Sequence, residues 1–351
     1  MEGILQKNCV TLSCCRPYLR SRTKENVKVP LRVRPLIDHV KTPLRPAVRW
    51  IRHRWYRTRF QQAYRRLQRT LDKPIALTDS VGTGVGVDEL WNRAVRRVPS
   101  QVDAFELSLD TPTVQTKYDA YWQECSQHYG AVGHAREKAL EHLLTFQFLD
   151  FTRVRRYCDV AAATSPIEHV LRMKLPSVEY WKQDLLFTTD VAAHVVGGFA
   201  QDMRQIENGF FDALTLHCSF EHFADDSDVD FLAEVDRILS PVGACLILPL
   251  YLAETHRTYF DPTMVSASEL ETYDSESDLI AAFGYRQSHG RFYSPETLAT
   301  RLLEKLPPGL RATLMKFRNQ GAIDPGVYLQ FALVLHRSES IFIAPPTNHA
   351  T

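Results

Sequence analysis

Several features that mark whole classes of proteins are missing from this sequence of 351 residues. No apolar run approaches the roughly 18 residues that a membrane-spanning helix needs, and the longest candidate, ACLILPLYLA, is far shorter. The first residues, MEGILQKNCV, lack the apolar stretch of a secretory signal peptide. We therefore expect a cytoplasmic protein that does not cross a membrane.

The cysteines and histidines also lack the patterns of familiar site types. The seven cysteines form neither a paired framework nor a metal-binding spacing. Cys158, Cys218 and Cys245 fall in segments that we interpret as buried strands, where free thiols behave as small apolar groups. That usage is typical of a reducing compartment. The histidines are scattered and no group of His, Asp and Glu has ligand spacing, so we expect no metal site.

Basic residues are concentrated near the beginning of the chain. Residues 1–70 hold 18 Lys and Arg against 3 Asp and Glu, although the whole chain has a formal net charge of only +1. In RPAVRWIRHRWYRTRFQQAYRRLQRT, aromatic residues recur at spacings that fit a helix with basic faces. We interpret residues 1–72 as a basic arm, helical or disordered in part, whose segment 16–70 suits an anionic membrane surface or acidic partner. A solvated arm is one alternative, and nucleic-acid binding is a less favoured one.

The rest of the chain divides into a helical region and an α/β region. Residues 73–150 contain apolar residues at helical spacing, as in HAREKALEHLLTFQFL, and we expect a helical lead-in there. From 151 to 340, strand-like segments such as RRYCDVA and VEYWKQD alternate with helix-like ones. This alternation predicts a doubly wound α/β domain with a parallel sheet. The last two strands lack a helix between them, which favours an antiparallel edge pair, and residues 341–351 are expected to form a loose tail.

Three aspartates follow the first three strands of the α/β region. Asp159 ends the first strand, Asp184 ends the second and Asp202 follows the third. Ligands of open α/β sheets bind at the carboxyl ends of the strands, so we expect all three at one ligand-binding rim. An acid at the second strand suits ribose hydroxyls, and one after the third suits an adenine amino group. Taken singly, each can also be a helix cap or a turn residue.

The stretch GFFDALTLHCSFEHFADDSDVDFLAEVDRILSPVGACLILPL has a distinctive order of features. Phe211-Asp212 opens the fourth strand, Glu221-His222 follows it, and a helix ending in RIL leads through SPVG into the fifth strand. With RFYSPETLATRLL before the last two strands, this order resembles the class I S-adenosylmethionine-dependent methyltransferases of type 11, over about residues 136–337. The resemblance implies a Rossmann-like, seven-stranded sheet with an antiparallel last strand, and S-adenosylmethionine as the cofactor.

The resemblance also implies roles for single residues. Asp159 to Ser165 would lie under the methionine part of the cofactor, Asp184 would hold the ribose, Asp202 and Met203 would flank the adenine, and His217 and Cys218 would lie near the sulfonium. Where the family has three loop glycines, this chain has Ala161, Ala163 and Ser165. Any of these positions that needs φ > 0 incurs strain of about 1 kcal/mol or more. We therefore predict a modified cofactor loop, with Ser165 as the N-cap of the next helix.

The residues after the fourth strand are candidates for the chemistry. Methyl transfer is a displacement that needs alignment, and a hydroxyl acceptor also needs a general base. His222 is the candidate base, with Glu221 as its partner or as an alternative base. The pair can also simply shape the turn.

The acceptor class is predicted only broadly. We expect methyl transfer to a small molecule, a sugar or a lipid-linked glycan near a membrane, with the segment between the fifth strand and RFYSP capping the acceptor site. A catalytically silent protein of the same fold, acting through a partner or membrane, is the main alternative. An RNA methyltransferase is a weaker one, because HCSF stands where amino-directed nucleic-acid methyltransferases place an NPPY-type segment.

Overall fold

A computed structural model describes residues 45–130, 135–163 and 165–344. The first part of the predicted basic arm, residues 1–44, and most of the predicted tail lie outside the described residues. Within the described ranges, no helix has both the length and the apolar character that crossing a membrane requires.

The described residues form eight helices and twelve strands. The helices are α1 Arg45–Thr70, α2 Val87–Val95, α3 Pro112–Tyr129, α4 Ala135–Phe148, α5 Ile167–Lys174, α6 Ser227–Ile238, α7 Ala267–Tyr273 and α8 Pro295–Thr297, which continues through a π-turn at Leu298–Leu302 and a 3-10 turn at Leu303–Lys305. The strands are β1 Ile75–Thr78, β2 Val102–Ser108, β3 Arg156–Val160, β4 Glu179–Asp184, β5 Val195–Gly197, β6 Phe211–His217, β7 Leu239–Leu250, β8 Arg257–Phe260, β9 Asp278–Ala282, β10 Gly290–Phe292, β11 Arg311–Arg318 and β12 Phe331–His336. Short 3-10 turns lie at Val191–Ala193, Phe220–His222 and Gln320–Ala322.

The main sheet has the order β2-β11-β12-β7-β6-β3-β4-β5. Its strands run parallel except β12, which is antiparallel to both β7 and β11. The predicted Rossmann-like α/β sheet with an antiparallel last strand is confirmed. An eighth strand, β2, extends it at the edge by pairing in parallel with β11. Residues 73–150, predicted as a helical lead-in, thus contribute strands β1 and β2 as well as helices.

Both faces of the main sheet are covered by helices, as parallel sheets require. The centre of β7 is buried on both sides, from Ala244 to Leu250. On one face, α2, α6 and the helical segment 295–305 supply the apolar side chains, among them Trp91 and Phe231. On the other face, α3, α4 and α5 pack, with Tyr118 and Leu140 among the buried residues. The loops at the strand ends are therefore held by a rigid layer.

A second, four-stranded sheet has the order β1-β9-β8-β10. It is built mainly from the segment between β7 and β11, which we expected to cap the acceptor site. Helix α1, the second half of the predicted basic arm, packs on this sheet through Phe60 and Leu67, which contact the cluster of Phe260 and Leu279. An apolar face of α1 therefore anchors this part of the arm. That face is hard to recognise in the sequence because many arginines lie between its apolar residues.

A buried ionic cluster joins the second sheet to α6. Arg291 in β10 is fully buried and forms ion pairs with Asp228 at 2.6 Å and with Asp274 at 3.0 Å. Burial opposes ionisation of Asp228, but Arg301 and Arg291 outweigh it and hold the pKa of this carboxyl below its usual value. At Asp274 burial is likewise outweighed, by His256 and then by Arg291, so its pKa is also lowered.

Candidate functional site

The loop after β3 adopts the backbone conformation of a glycine loop although it contains alanines. Ala161 has φ 53° and Ala163 has φ 42°, both in the left-handed region. These are two of the three positions where the resembled family has glycine. An L-residue in this region costs about 1–2 kcal/mol. The loop therefore has the backbone shape of a glycine loop, and its two alanines are strained. The sequence analysis predicted this strain for any loop position that needs a positive φ.

Two side chains at the end of β4 hold this loop. Gln183 accepts from the Ala161 N–H through Oε1 at 3.1 Å, and its backbone carbonyl accepts from the Ala162 N–H at 2.9 Å. Asp184 accepts from the Ala163 N–H through Oδ2 at 2.9 Å and from the Leu186 N–H through Oδ1 at 2.9 Å. An ionised carboxylate has about four lone-pair positions. Buried Asp184 thus positions the loop and keeps acceptor capacity for further donors.

Asp159 and His217 meet at the carboxyl ends of β3 and β6. Their side chains are buried, and His217 Nδ1 lies 3.6 Å from Asp159 Oδ1. The other ring nitrogen, Nε2, is 3.0 Å from the Thr145 hydroxyl, which comes from α4. Tyr180 OH donates to Asp159 Oδ2 at 3.4 Å. The residues predicted to lie near the methionine part and the sulfonium are therefore neighbours.

The residues predicted near the adenine have other contacts in this structure. Asp202 is exposed and accepts from Arg204 at 2.6 and 2.7 Å, a hydrogen-bonded pairing that lowers the pKa of this aspartate. Met203 is fully buried in the core on the α6 side, and its N–H donates to Glu234 Oε1 at 2.7 Å. Asp202 therefore lies at the surface, while Met203 belongs to the core beneath it.

The helix after the loop begins one residue later than predicted. Pro166, not Ser165, is the N-cap residue, and α5 starts at Ile167. Ser165 lies one position before the cap, where its hydroxyl accepts from the Ile167 N–H at 3.4 Å. The prediction of Ser165 as N-cap was therefore wrong, because proline takes that position with the loop folded back on Ala162.

His222 and Glu221 lie in the 3-10 turn that follows β6. His222 Nδ1 donates to the backbone carbonyl of His289, which leaves Nε2 as the basic nitrogen of a neutral ring. Nε2 is 3.6 Å from Glu221 Oε1. Burial raises the pKa of the Glu221 carboxyl above its usual value, against the opposing effect of His222. The arrangement can accept a proton at Nε2 and stabilise the resulting imidazolium.

Helix α4 places a row of polar residues in the interior, and the sequence analysis missed them. The Cys218 thiol donates to Glu141 Oε1 at 3.1 Å, and Lys138 Nζ donates to Glu141 Oε2 at 3.0 Å. Glu137, one turn earlier, accepts from the Tyr328 N–H, and burial, reinforced by Glu141, raises the pKa of Glu137 to about 8. The sequence did contain one signal for this row. Glu137 and Glu141 are four positions apart, which places them on the same face of a helix.

A neutral histidine continues the polar row of α4. His142 is fully buried, and burial lowers its pKa well below the usual value. Its Nδ1 is 2.6 Å from Tyr129 OH, which is 2.8 Å from Tyr121 OH. The ring packs edge-on against His217, with the centroids 4.7 Å apart. The α4 residues therefore form one wall of the site at the end of β6.

Comparison with known proteins gives a match that begins within β3 and ends within β7. The family model described as a methyltransferase domain matches residues 158–247. Similar solved structures include the 1,6-didemethyltoxoflavin-N1-methyltransferase of Burkholderia thailandensis, with bound 1,6-didemethyltoxoflavin and S-adenosylhomocysteine, at 13% identity, covering 65% of this chain and 87% of that chain, with a TM-score of 0.38. Another is a SAM dependent methyltransferase from Archaeoglobus fulgidus at 12% identity, covering 63% and 99%, with a TM-score of 0.35.

A third similar structure is the sugar N-methyltransferase KedS8 from Streptoalloteichus sp ATCC 53650, at 19% identity, covering 38% of this chain and 54% of that chain, with a TM-score of 0.27. No curated protein matches the chain. At TM-scores this low, the likenesses carry no conclusion about substrate or mechanism.

Proposed function

We propose that this chain, whose residues 158–247 match a methyltransferase domain, transfers the methyl group of S-adenosylmethionine to a small-molecule acceptor. The observation that carries this proposal is the meeting of four features at one rim of the sheet. These are the left-handed alanine loop, the buried Asp184 beside it, the Asp159–His217 pair and the Glu221–His222 turn. Such a rim is where open α/β sheets bind their ligands.

The residues at this rim fit the cofactor. S-adenosylmethionine supplies a methyl group on a positively charged sulfonium. Asp184 has two oxygens already bonded to backbone N–H groups and retains acceptor capacity for the ribose hydroxyls. Asp159 and His217 line the end of the loop, where the methionine part and the sulfonium belong in this proposal. On the adenine side, Asp202 offers a surface carboxylate that Arg204 also contacts, whereas Met203 supports this side only from the core.

His222 is the general base in this proposal. The His289 carbonyl fixes the Nδ1 proton, so Nε2 takes the proton that leaves the acceptor's hydroxyl or amine. Glu221, 3.6 Å away, stabilises the imidazolium that forms. The second sheet lies against this turn, because β10 begins at Gly290, directly after His289. A covered turn favours a small acceptor, such as a small molecule, a sugar or the glycan of a lipid-linked acceptor.

The test is the destination of a labelled methyl group. Full-length protein would be incubated with methyl-labelled S-adenosylmethionine and a cell extract, and the label counted in small-molecule, lipid, RNA and protein fractions. We expect label in the small-molecule or glycolipid fraction, at least about 100-fold lower initial rates for His222→Gln, and normal rates for the control His128→Gln on α3. Label in RNA would support the RNA alternative. Transfer to no fraction would support the silent protein.

We also propose that α1 attaches the protein to an anionic membrane surface at its cytoplasmic face. Trp50 and Trp55 are each 60% exposed, although the opposite side of α1 packs on the second sheet. Arg54 lies 5.2 Å from the Trp50 ring and Arg59 lies 4.9 Å from the Trp55 ring. Exposed tryptophans among arginines suit the boundary between lipid headgroups and acyl chains.

Vesicle co-sedimentation tests the membrane proposal. We expect binding to phosphatidylserine-containing vesicles and not to pure phosphatidylcholine, weakened by salt and by the double change Trp50→Ser and Trp55→Ser. Met173→Ser, which alters an exposed apolar residue on α5, is the control and should bind normally. Salt-sensitive binding to RNA with no vesicle binding would contradict the proposal and favour the nucleic-acid alternative.

A further inference from the structure

Three side chains of metal-ligand type meet between α4 and the end of β6. One ligand atom each from Glu137, Glu141 and Cys218 lies within 4.8 Å of the others. All three residues are buried, with exposed fractions of 2%, 0% and 3%. The Cys218 sulfur is 3.1 Å from Glu141 Oε1. Zinc bond lengths of about 2.3 Å to sulfur and about 2.1 Å to oxygen place such atoms about 3.6 Å apart at a tetrahedral angle, so the donors need little movement.

Acidic side chains outnumber basic ones around this cluster. Three buried carboxyl groups, those of Glu137, Glu141 and Glu221, lie near one ammonium group, that of Lys138, which is paired with Glu141. Among the described residues, Glu137 Oε1 and Glu221 Oε2 have no hydrogen-bond partner. Buried polar atoms in native proteins almost always have one. An unpartnered carboxyl oxygen at this depth is a candidate ligand for a metal ion.

We propose that Glu137, Glu141 and Cys218 bind a divalent transition-metal ion, with Zn²⁺ the best match. A thiolate with two carboxylates suits zinc, whereas Mg²⁺ and Ca²⁺ take oxygen donors alone. On binding, the Cys218 thiol proton and any proton held by the two carboxyl groups are released to solvent, and the thiolate and both carboxylates coordinate the ion. The fourth tetrahedral position is left for water.

Cys218 is held for this role by its backbone. Its φ of 49° lies in the left-handed region, directly after β6. With this backbone conformation the Cys218 thiol contacts Glu141 on α4. Glu137 and Glu141, four positions apart, present their carboxyl groups on one face of that helix. The sequence analysis expected no metal site because the histidines are scattered and no group of His, Asp and Glu has ligand spacing. Glu141 and Cys218 are 77 positions apart in the sequence.

The experiment measures metal binding directly and needs neither cofactor nor acceptor, so its outcome is separate from that of the proposed methyl transfer. Full-length protein with Cys9, Cys14 and Cys15 changed to Ser would be freed of metal by chelation and titrated with Zn²⁺, Mg²⁺ and Co²⁺. We expect one Zn²⁺ per chain, no comparable Mg²⁺ binding, and a thiolate-to-cobalt charge-transfer band with Co²⁺. The cobalt band reports sulfur ligation without any change at the site itself.

Variants then assign the ligands. Loss of a residue that only supports a metal ligand costs about 10–100-fold in affinity, so Cys218→Ser and Glu137→Gln should weaken Zn²⁺ binding by at least about 100-fold. Cys125→Ser, which changes another buried thiol on α3, should bind normally. Stoichiometric zinc without a cobalt–thiolate band would overturn the proposal. So would unchanged affinity in folded Cys218→Ser, or no zinc binding by the folded parent protein.

Discussion

Replacing Ala163 with glycine is expected to stabilise the protein. Ala163 has φ 42°, in a region that costs an L-residue about 1–2 kcal/mol and costs glycine almost nothing. Glycine also makes the unfolded chain more flexible, which lowers stability by about 0.5–1 kcal/mol. The Ala163 methyl group is exposed, so its removal loses little burial. The free energy of unfolding should therefore rise by about 0.5–1 kcal/mol.

The neighbouring alanines supply the controls. Ala162 is buried and does not have a positive φ, so Ala162→Gly loses both burial and chain stiffness and should destabilise by about 1–2 kcal/mol. Ala161→Gly should gain less than Ala163→Gly because its methyl group is partly buried. Urea unfolding at constant slope measures all three. Equal destabilisation by the Ala162 and Ala163 variants would refute the strain argument.

The remaining predictions concern the packing around the site. Arg291→Met should lower the free energy of unfolding by about 3–5 kcal/mol, because it leaves Asp228 and Asp274 buried without this partner. The control Arg311→Met, at a partly exposed position, should cost under about 1 kcal/mol. Equal effects of the two changes would contradict the assignment. Folding lowers the pKa values of both aspartates, so their contribution to stability is present above about pH 4 and is lost as pH falls through the folded values. Urea unfolding between about pH 5 and pH 2 should show this loss, and a flat profile would contradict it. Phe60→Ala should lower the free energy of unfolding by about 3–5 kcal/mol and release α1 from the second sheet. Trypsin should then cleave at the arginines of α1 faster than in the wild-type protein. Cleavage at the wild-type rate would show that other contacts hold α1.

Local patterns predicted much of the fold. Strands β3, β4 and β6 were predicted from strand-like segments that alternate with helix-like ones, and β3 and β4 carry the predicted Asp159 and Asp184 at their carboxyl ends. The same signal predicted a ligand-binding rim at these strand ends, and Ala161 and Ala163, two of the three loop positions, do adopt the left-handed region. Strand β2 was missed because it is a sheet-edge strand with little alternation of burial, and its pairing partner β11 is far along the chain.

Contacts between residues far apart in the chain could not be predicted from the sequence. The apolar face of α1 is hidden by arginines, and only the second sheet shows that Phe60 is buried. The polar face of α4 resembles an ordinary solvated helix face until Cys218 and His217 are placed against it. Similarly, the spacing of Asp184 in the sequence does not show that its carboxylate also holds the loop through Ala163.

The measurement that tests the central claim most directly is a calorimetric titration with S-adenosylmethionine and its demethylated product. Wild-type protein, Asp184→Asn and the control Asp119→Asn, an exposed position on α3, would be compared. The account predicts micromolar binding by wild type and control, and its loss in Asp184→Asn. No binding by folded wild-type protein at millimolar ligand would contradict it, and would identify the alanine loop as the feature that abolished the cofactor site.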